Sequence, residues 1–135
     1  NQKLAPKGIV RESHQLEKNT DINLWVYSHP ERQKGAIFVI PGIHYEGPAD
    51  IRLDRFCRVL ADSGMVVCCP FIPTMINLVM DKKLLQEVEL SFRSFLSLVP
   101  DKKVGVFSIS AASVAAIHLG TLGCFLIALA NLFRS

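Results

Sequence analysis

Ser110 lies in a segment whose residue types suit nucleophilic catalysis. An apolar β-type stretch, Val104 to Ile109, leads into this serine, and an alanine-rich helical segment, Ala111 to Leu119, follows it. The residues two positions before and after Ser110 are small, which lets a strand and a helix pack tightly around a sharp turn. Such a turn lifts the hydroxyl clear of the strand and places free backbone N–H groups of a helix beside it. The pattern predicts a serine nucleophile, and the simpler alternative is a serine that caps the helix.

A second loop, Pro41 to Pro48, follows the apolar stretch Ala36 to Ile40 and has the composition of a turn. A serine nucleophile needs hydrogen-bond donors for the oxyanion that forms when it attacks a carbonyl. Gly42 lets this backbone approach a substrate closely, so the N–H of Ile43 is the predicted donor. His44 is either a general base for Ser110 or a loop histidine near a substrate entrance.

The other histidines are not predicted to act on Ser110. His118 lies eight positions further along the same predicted helix, about 12 Å away, which is too far for a hydrogen bond to the serine hydroxyl. His14 and His29 fall in the N-terminal region, where we expect solvated side chains.

Arg52, Arg55 and Arg58 recur at every third residue and therefore share one side of a predicted helix. The simplest interpretation is a solvated helix face. A clamp for a phosphate or a carboxylate is the alternative, because guanidinium groups bind both anions in pairs of hydrogen bonds. For Trp25 and Tyr27, packing between strands is expected rather than a ligand platform.

The cysteines do not predict a metal site, and we expect no metal and no organic cofactor. The chain has four cysteines, without CxxC spacing and without a histidine at ligand spacing. Cys68 and Cys69 are neighbours in a β-type run, so their side chains should point to opposite faces. Buried free thiols in a reducing compartment, the cytoplasm, are the expected state.

The hydrophobic pattern alternates between strand-like and helix-like segments. A predicted antiparallel hairpin, Gly8 to Ser28, comes first, and β-α-β-α-β-α-β follows it. This order predicts an α/β fold with a mostly parallel sheet and helices on both faces. The predicted strands are Ala36–Ile40, Met65–Cys69 closed by Pro70, Val104–Ile109 and Phe125–Leu129. The first predicted helix is capped by Asp50, runs to Ser63 and is ended by Gly64. The other two predicted helices run from about Leu84 to before Pro100 and from Ala111 to Leu119.

Bulk composition argues against two classes of partner. The 135 residues carry a net charge of +3 with both signs interspersed, and no basic stripe with aromatic platforms indicates nucleic-acid binding. Residues 104–133 lack Asp, Glu, Lys and Arg, but serines, glycines and His118 divide them into strand-length and helix-length pieces. Buried parallel strands and the helix between them have the same uncharged, interrupted apolar pattern, so a membrane span is not the expected structure.

Five segments together resemble the first half of an α/β-hydrolase of the esterase or dienelactone-hydrolase type. The order of elements is similar to that family over most of the chain, from about Gly8 to Leu132. The segments are Ile37-Phe-Val-Ile-Pro-Gly-Ile-His44, Arg52-Leu-Asp-Arg-Phe56, Leu60-Ala-Asp-Ser-Gly64, Val66-Val-Cys-Cys-Pro70 and Gly105-Val-Phe-Ser-Ile-Ser110.

The resemblance implies a site and a reaction. Ser110 corresponds to the family nucleophile, and Ile43 and Ala111 correspond to its oxyanion-hole donors. The family pattern prefers glycine at the positions of Ser108 and Ala112. It also places its acid and its catalytic histidine on later strands, which residues 1–135 do not include.

Two hypotheses follow. In the first, residues 1–135 form a single α/β-hydrolase-like domain, incomplete at its C-terminus, of a serine esterase that hydrolyses a small acyl ester or thioester. This chain alone would then be inactive. In the second, the protein is a truncated, non-catalytic α/β-hydrolase-like protein that binds ligands or partners. A chain that ended at Ser135 would expose an apolar sheet edge around Phe125 to Leu132, and would be expected to associate with itself through that edge.

Overall fold

A computed structural model of the chain describes residues 6–18, 21–41, 50–77, 81–108 and 125–128. These residues form one sheet with helices packed on it. The strands are β1 (Val10–Gln15), β2 (Asn23–Ser28), β3 (Gly35–Ile40), β4 (Met65–Phe71), β5 (Val104–Ser108) and β6 (Phe125–Ala128), and the helices are α1 (Ile51–Asp62), α2 (Lys82–Leu98) and a 3-10 turn at Pro73–Asn77. The helix predicted over 111–119 lies outside the described residues.

The six strands form one mixed sheet in the order β1-β2-β4-β3-β5-β6. β1 and β2 form an antiparallel hairpin, and β2 joins the sheet antiparallel to β4. The pairs β3–β4, β3–β5 and β5–β6 are all parallel. The predicted sheet, mostly parallel with an N-terminal antiparallel hairpin, is confirmed.

Apolar residues fill both faces of the central strand β3, as its continuous apolar sequence predicts. Alternate side chains of a strand point to opposite faces. Ala36, Phe38 and Ile40 belong to the core beneath α2, whereas Ile37 and Val39 belong to the core beneath α1. The two helices therefore cover opposite faces of the sheet, as predicted.

Helix α1 begins and ends where its sequence predicts. The Asp50 side chain caps it by accepting hydrogen bonds from the backbone N–H groups of Arg52 and Leu53, at 3.0 and 3.3 Å. The helix ends at Asp62, and Gly64 follows in the left-handed region with φ of +105°. Glycine adopts this conformation without the steric cost that a Cβ imposes.

Helix α2 packs against the opposite face through a stripe of buried residues at helical spacing. Its first turn is capped by Asp81, whose side chain accepts a hydrogen bond from Leu84 N at 2.8 Å. The helix ends at Leu98, before Pro100, because a proline disfavours helical backbone at the residue that precedes it. No helix among the described residues is long and apolar enough to cross a membrane. The buried apolar residues of the stripe are Leu84, Val88, Phe92 and Phe95.

The prediction that Pro70 closes the fourth strand is wrong, because β4 continues through Pro70 to Phe71. Pairing with β3 extends only as far as Cys68, whereas pairing with β2 continues to Phe71. β4 therefore has a free side at Pro70, where the missing N–H of proline breaks no β3–β4 hydrogen bond. β5 and β6 are described as far as Ser108 and Ala128, and their predicted last residues, Ile109 and Leu129, lie outside the described residues.

Candidate active site

The carboxyl ends of β3 and β5 lie side by side. These strands are parallel and in register from Ala36↔Val104 to Ile40↔Ser108, so both end at the same level of the sheet. We call this end of the two strands the carboxyl edge. Reactive groups of parallel α/β sheets lie in the loops that leave such an edge. The strands that precede His44 and Ser110 are therefore direct neighbours in the sheet.

The four predicted site residues, Ile43, His44, Ser110 and Ala111, lie outside the described residues, as does His118. Their roles therefore stay predictions. The described structure gives the positions from which the two loops start and where the first of them ends. Those positions are Ile40 and Pro41 before the first loop, Asp50 after it, and Ser108 before the second.

Ser108 is fully buried, and its hydroxyl is unpaired. Its exposed fraction is 0%, and no group within the described part of the chain hydrogen-bonds its Oγ atom. Strand alternation places Ser108 on the same face as Val104 and Val106, which belong to the core beneath α2. The sequence predicts Ser108 only as a small residue beside the turn. The pattern of an apolar strand that ends in a serine could have indicated its buried hydroxyl.

Asp50 fixes the far end of the first loop to α1. Its side chain is almost fully buried and accepts the two capping hydrogen bonds, and its second oxygen lies 3.4 Å from Arg52 Nη2. Burial alone would raise the pKa of Asp50, but the hydrogen bonds from Arg52 and Leu53 outweigh it and lower the pKa. The carboxylate therefore stays ionised and keeps the cap in place at neutral pH.

Two of the three helical arginines bind carboxylates of the same segment. Arg52 pairs with Asp50, and Arg58 Nε donates to Asp54 Oδ2 at 2.9 Å. These contacts pair both guanidinium groups with carboxylates of the helix and its cap, while the Arg52 side chain stays largely exposed. They support the interpretation of a helix face over that of an anion clamp.

The two N-terminal histidines have local roles. His29 Nδ1 accepts hydrogen bonds from the backbone N–H groups of Glu31 and Arg32, at 3.0 and 3.2 Å, and so shapes the loop between β2 and β3. His14 Nε2 lies 3.5 Å from Glu12 on the outer strand β1. Neither contact involves the carboxyl edge.

The described cysteines are buried free thiols, as predicted. Cys68 belongs to the core beneath α2, whereas Cys57 and Cys69 belong to the core beneath α1, so the predicted opposite orientation of Cys68 and Cys69 is confirmed. A hydrogen bond with Cys57, then burial, raises the pKa of Cys69, and burial raises that of Cys68. Both thiols are therefore protonated and poorly nucleophilic. Within the described ranges, no three His, Cys, Asp or Glu side chains are grouped as metal ligands.

Solved structures share this arrangement at low sequence identity. No protein-family model matches the chain, and no curated protein matches it in sequence. A thermostable carboxyl esterase from Bacillus coagulans superimposes with a TM-score of 0.62 at 18% identity, over 91% of this chain and 44% of the esterase. The Francisella virulence factor BioJ gives a TM-score of 0.66 at 15% identity, over 85% of this chain and 40% of BioJ. The chain has an α/β-hydrolase fold.

A third solved structure matches the chain over a larger share of its own length. A dienelactone hydrolase-like promiscuous phosphotriesterase from metagenomic libraries gives a TM-score of 0.64 at 14% identity, over 88% of this chain and 56% of its own length. This chain spans less than two thirds of each of these three proteins. At such identities the likeness concerns the fold, and the described strands correspond to an α/β-hydrolase sheet.

Proposed function

We propose that the protein is a serine hydrolase of the esterase type, with Ser110 as its nucleophile and a small acyl ester or thioester as its substrate. The observation that carries this proposal is the register of β3 and β5, which ends at Ile40 and Ser108. Two residues after Ser108 comes the serine, and three residues after Ile40 comes the proposed oxyanion donor. Both loops start from the carboxyl edge, and the proposal requires both groups to face one substrate carbonyl.

The proposed reaction has two acyl-transfer steps. Ser110 Oγ attacks the substrate carbonyl while a base takes its proton, and the N–H groups of Ile43 and Ala111 stabilise the oxyanion. The bond to the leaving alcohol or thiol then breaks, and the proton returns to that group. Water attacks the acyl-enzyme in the second step, which releases the carboxylic acid and regenerates Ser110.

The proposal has two versions, which differ in the residue that acts as the base. In the first version, a histidine beyond Ser135 in the full-length protein takes the proton, as the resemblance implies. In the second version, His44 takes it, since the strand that precedes His44 pairs directly with the strand that precedes Ser110. Either base must come within about 3 Å of Ser110 Oγ.

Labelling with a fluorophosphonate tests the proposal on the full-length protein. The intact mass of the native protein is measured first, to establish which chain is assayed. We expect one stoichiometric adduct, located on Ser110 by peptide mapping, and its loss in Ser110→Ala. Ser97→Ala is the matched control, because Ser97 lies on α2, where its Oγ donates to the Arg93 carbonyl at 3.2 Å.

Two other outcomes decide between the alternatives. If a folded full-length protein gives no adduct, or Ser110→Ala still gives one, the hydrolase proposal is wrong and the non-catalytic binding protein remains. If the wild type is labelled and His44→Ala loses at least about a hundredfold in labelling rate, His44 is the base. An unchanged rate in His44→Ala excludes His44 as the base and leaves the first version of the proposal.

A further inference from the structure

Strand β1 leaves one side of the sheet open. In the strand order it lies at the end opposite β6, and among the described strands it pairs only with β2. Five of its six residues are exposed, and its register with β2 is continuous from Val10 to Gln15. Bulges and prolines are two of the means by which proteins prevent an edge strand from pairing further, and β1 has neither.

The register shows which backbone groups of β1 point away from β2. Leu16 N–H donates to the Ile22 carbonyl at 3.2 Å, so these two residues form a hydrogen-bonded pair of the antiparallel ladder. Such pairs recur at every second residue of an antiparallel ladder. The backbone N–H and C=O groups of the residues in between, which include Arg11 and Ser13, therefore point to the open side.

Pro70 gives an independent check of this alternation. Leu24 lies opposite His14 in the β1–β2 pair and opposite Pro70 in the β2–β4 pair. The alternation directs the backbone groups of Leu24 to β1, so Leu24 and Pro70 form a pair without hydrogen bonds. Proline fits such a position because it has no N–H to donate.

The charges of β1 favour one register with a second copy of the strand. In an antiparallel pairing centred on Ser13, each Glu12 lies opposite His14 of the second copy, and these side chains are 64% and 39% exposed. A carboxylate accepts a hydrogen bond from an imidazole, and their charges are complementary when the imidazole is protonated. The open-side groups permit shifts of two residues, but such shifts place Glu12 opposite Glu12 or His14 opposite His14.

We propose that β1 is a dimerisation surface and that its partner is β1 of a second copy. The two strands pair antiparallel about a two-fold axis at Ser13, so that each copy presents the same groups to the other. The outward backbone groups form the hydrogen bonds, and two contacts between Glu12 and His14 fix the register. The two sheets then form one continuous sheet. This inference does not depend on the proposed function.

Sedimentation velocity of the full-length protein over a range of concentrations tests the pairing. Ser13→Pro removes the outward N–H at the centre of the proposed interface and leaves the β1–β2 hydrogen bonds in place. Ser13→Ala is the matched control, because it loses the same hydroxyl, which lies 3.5 Å from Asn23 Oδ1, but keeps the N–H. Circular dichroism establishes that each variant is folded.

A charge exchange tests the register and does not depend on how well β1 accepts a proline. Glu12→Lys places a positive charge opposite His14 of the second copy. The double variant Glu12→Lys/His14→Glu restores opposite charges across the axis in reversed order. Both proteins keep every backbone group of β1.

We expect the wild type and Ser13→Ala to dimerise as the concentration rises, and Ser13→Pro to stay monomeric. Glu12→Lys should raise the dissociation constant at least about tenfold, and the double variant should recover most of this loss. A monomeric wild type overturns the inference and leaves β1 as an exposed edge or as a site for a strand of another protein. A wild-type dimer that either folded Ser13→Pro or Glu12→Lys forms equally well also overturns it.

Discussion

The phenol of Tyr27 in β2 donates a 2.8 Å hydrogen bond to Oδ1 of Asp54 in α1. The same carboxylate accepts from Arg11 of β1 and from Arg58 of α1, both at 2.9 Å. Asp54 therefore joins both strands of the hairpin to the helix that follows the first loop of the carboxyl edge. Arg11 also lies over the Trp25 ring, 4.7 Å from its centroid, which adds a cation–π contact to this cluster.

Replacement of Asp54 should destabilise the protein. Asp54→Ala removes the shared acceptor of three donors, and we expect the free energy of unfolding to fall by about 1–3 kcal/mol. Urea denaturation measures the change. The control is Asp62→Ala, whose ion pair with Arg32 is half exposed and should contribute less than about 1 kcal/mol. Equal losses in the two variants would contradict a special role for Asp54.

The Asp54 cluster also predicts how stability depends on pH. Burial would raise the pKa of Asp54, but the hydrogen bonds from Arg58 and Tyr27 and the charges of Arg58 and Arg11 outweigh it, so the folded-state pKa lies below the usual 3.8. The stabilisation is therefore complete when the pH is above the unfolded-state pKa of Asp54, and it is lost as the pH falls through the lower folded-state pKa.

We expect the stability difference between the wild type and Asp54→Asn to be constant near neutral pH and to shrink below about pH 4. Urea midpoints measured between neutral pH and strongly acidic pH give this difference. Asp50, whose pKa is also lowered, remains in both proteins and cancels from the comparison. A difference that does not change with pH would show that the Asp54 carboxylate contributes no charge-dependent stability.

Gly64 should tolerate no side chain. Its φ is +105°, and a Cβ atom built there would lie 2.7 Å from Lys34 Cε. Gly64→Ala should lower the free energy of unfolding by about 1 kcal/mol or more, because of the strained backbone. The Lys34→Ala background removes the contact but not the strain, so most of the loss should persist in the double variant. Loss of the whole effect in that background would assign it to the contact.

Truncation of Phe92 should leave a cavity beneath α2. Its ring packs edge-on against Phe38, with 5.2 Å between the ring centroids, and the residue is 1% exposed. Phe92→Ala should cost about 3–5 kcal/mol in thermal or urea unfolding. Leu98→Ala on the same helix is the control, because Leu98 is 45% exposed and should change stability little.

Hydrophobic periodicity was sufficient to predict the central strands β3, β4 and β5 and the helices α1 and α2, because burial imposes an apolar pattern on them. Pro70 departs from its prediction for a local reason. Proline usually ends a strand, and only the pairing pattern shows that β4 is no longer paired with β3 at Pro70, while its pairing with β2 continues. The two loops of the carboxyl edge could be placed from the alternation of strands and helices alone.

Contacts between distant side chains could not be predicted in the same way. Asp54 was one acid among several in the sequence, and its three donors come from β1, β2 and α1. The apolar strand before Ser108 indicates that its hydroxyl is buried, but the sequence does not show that this hydroxyl lacks a partner among the described residues. Spacing along one helix or strand can be read from a sequence, whereas the partner of a single polar atom depends on the assembled sheet.

The order of strands has a consequence for how the chain folds. The hairpin of β1 and β2 pairs residues that are close in sequence, so it can form early, whereas Ile40 and Ser108 pair across about half of the chain. Closing so long a loop costs entropy before any contact repays it, and such pairings are slow. The carboxyl edge is therefore expected to form among the last parts of the sheet. A folding intermediate that contains the hairpin and both helices would still lack it.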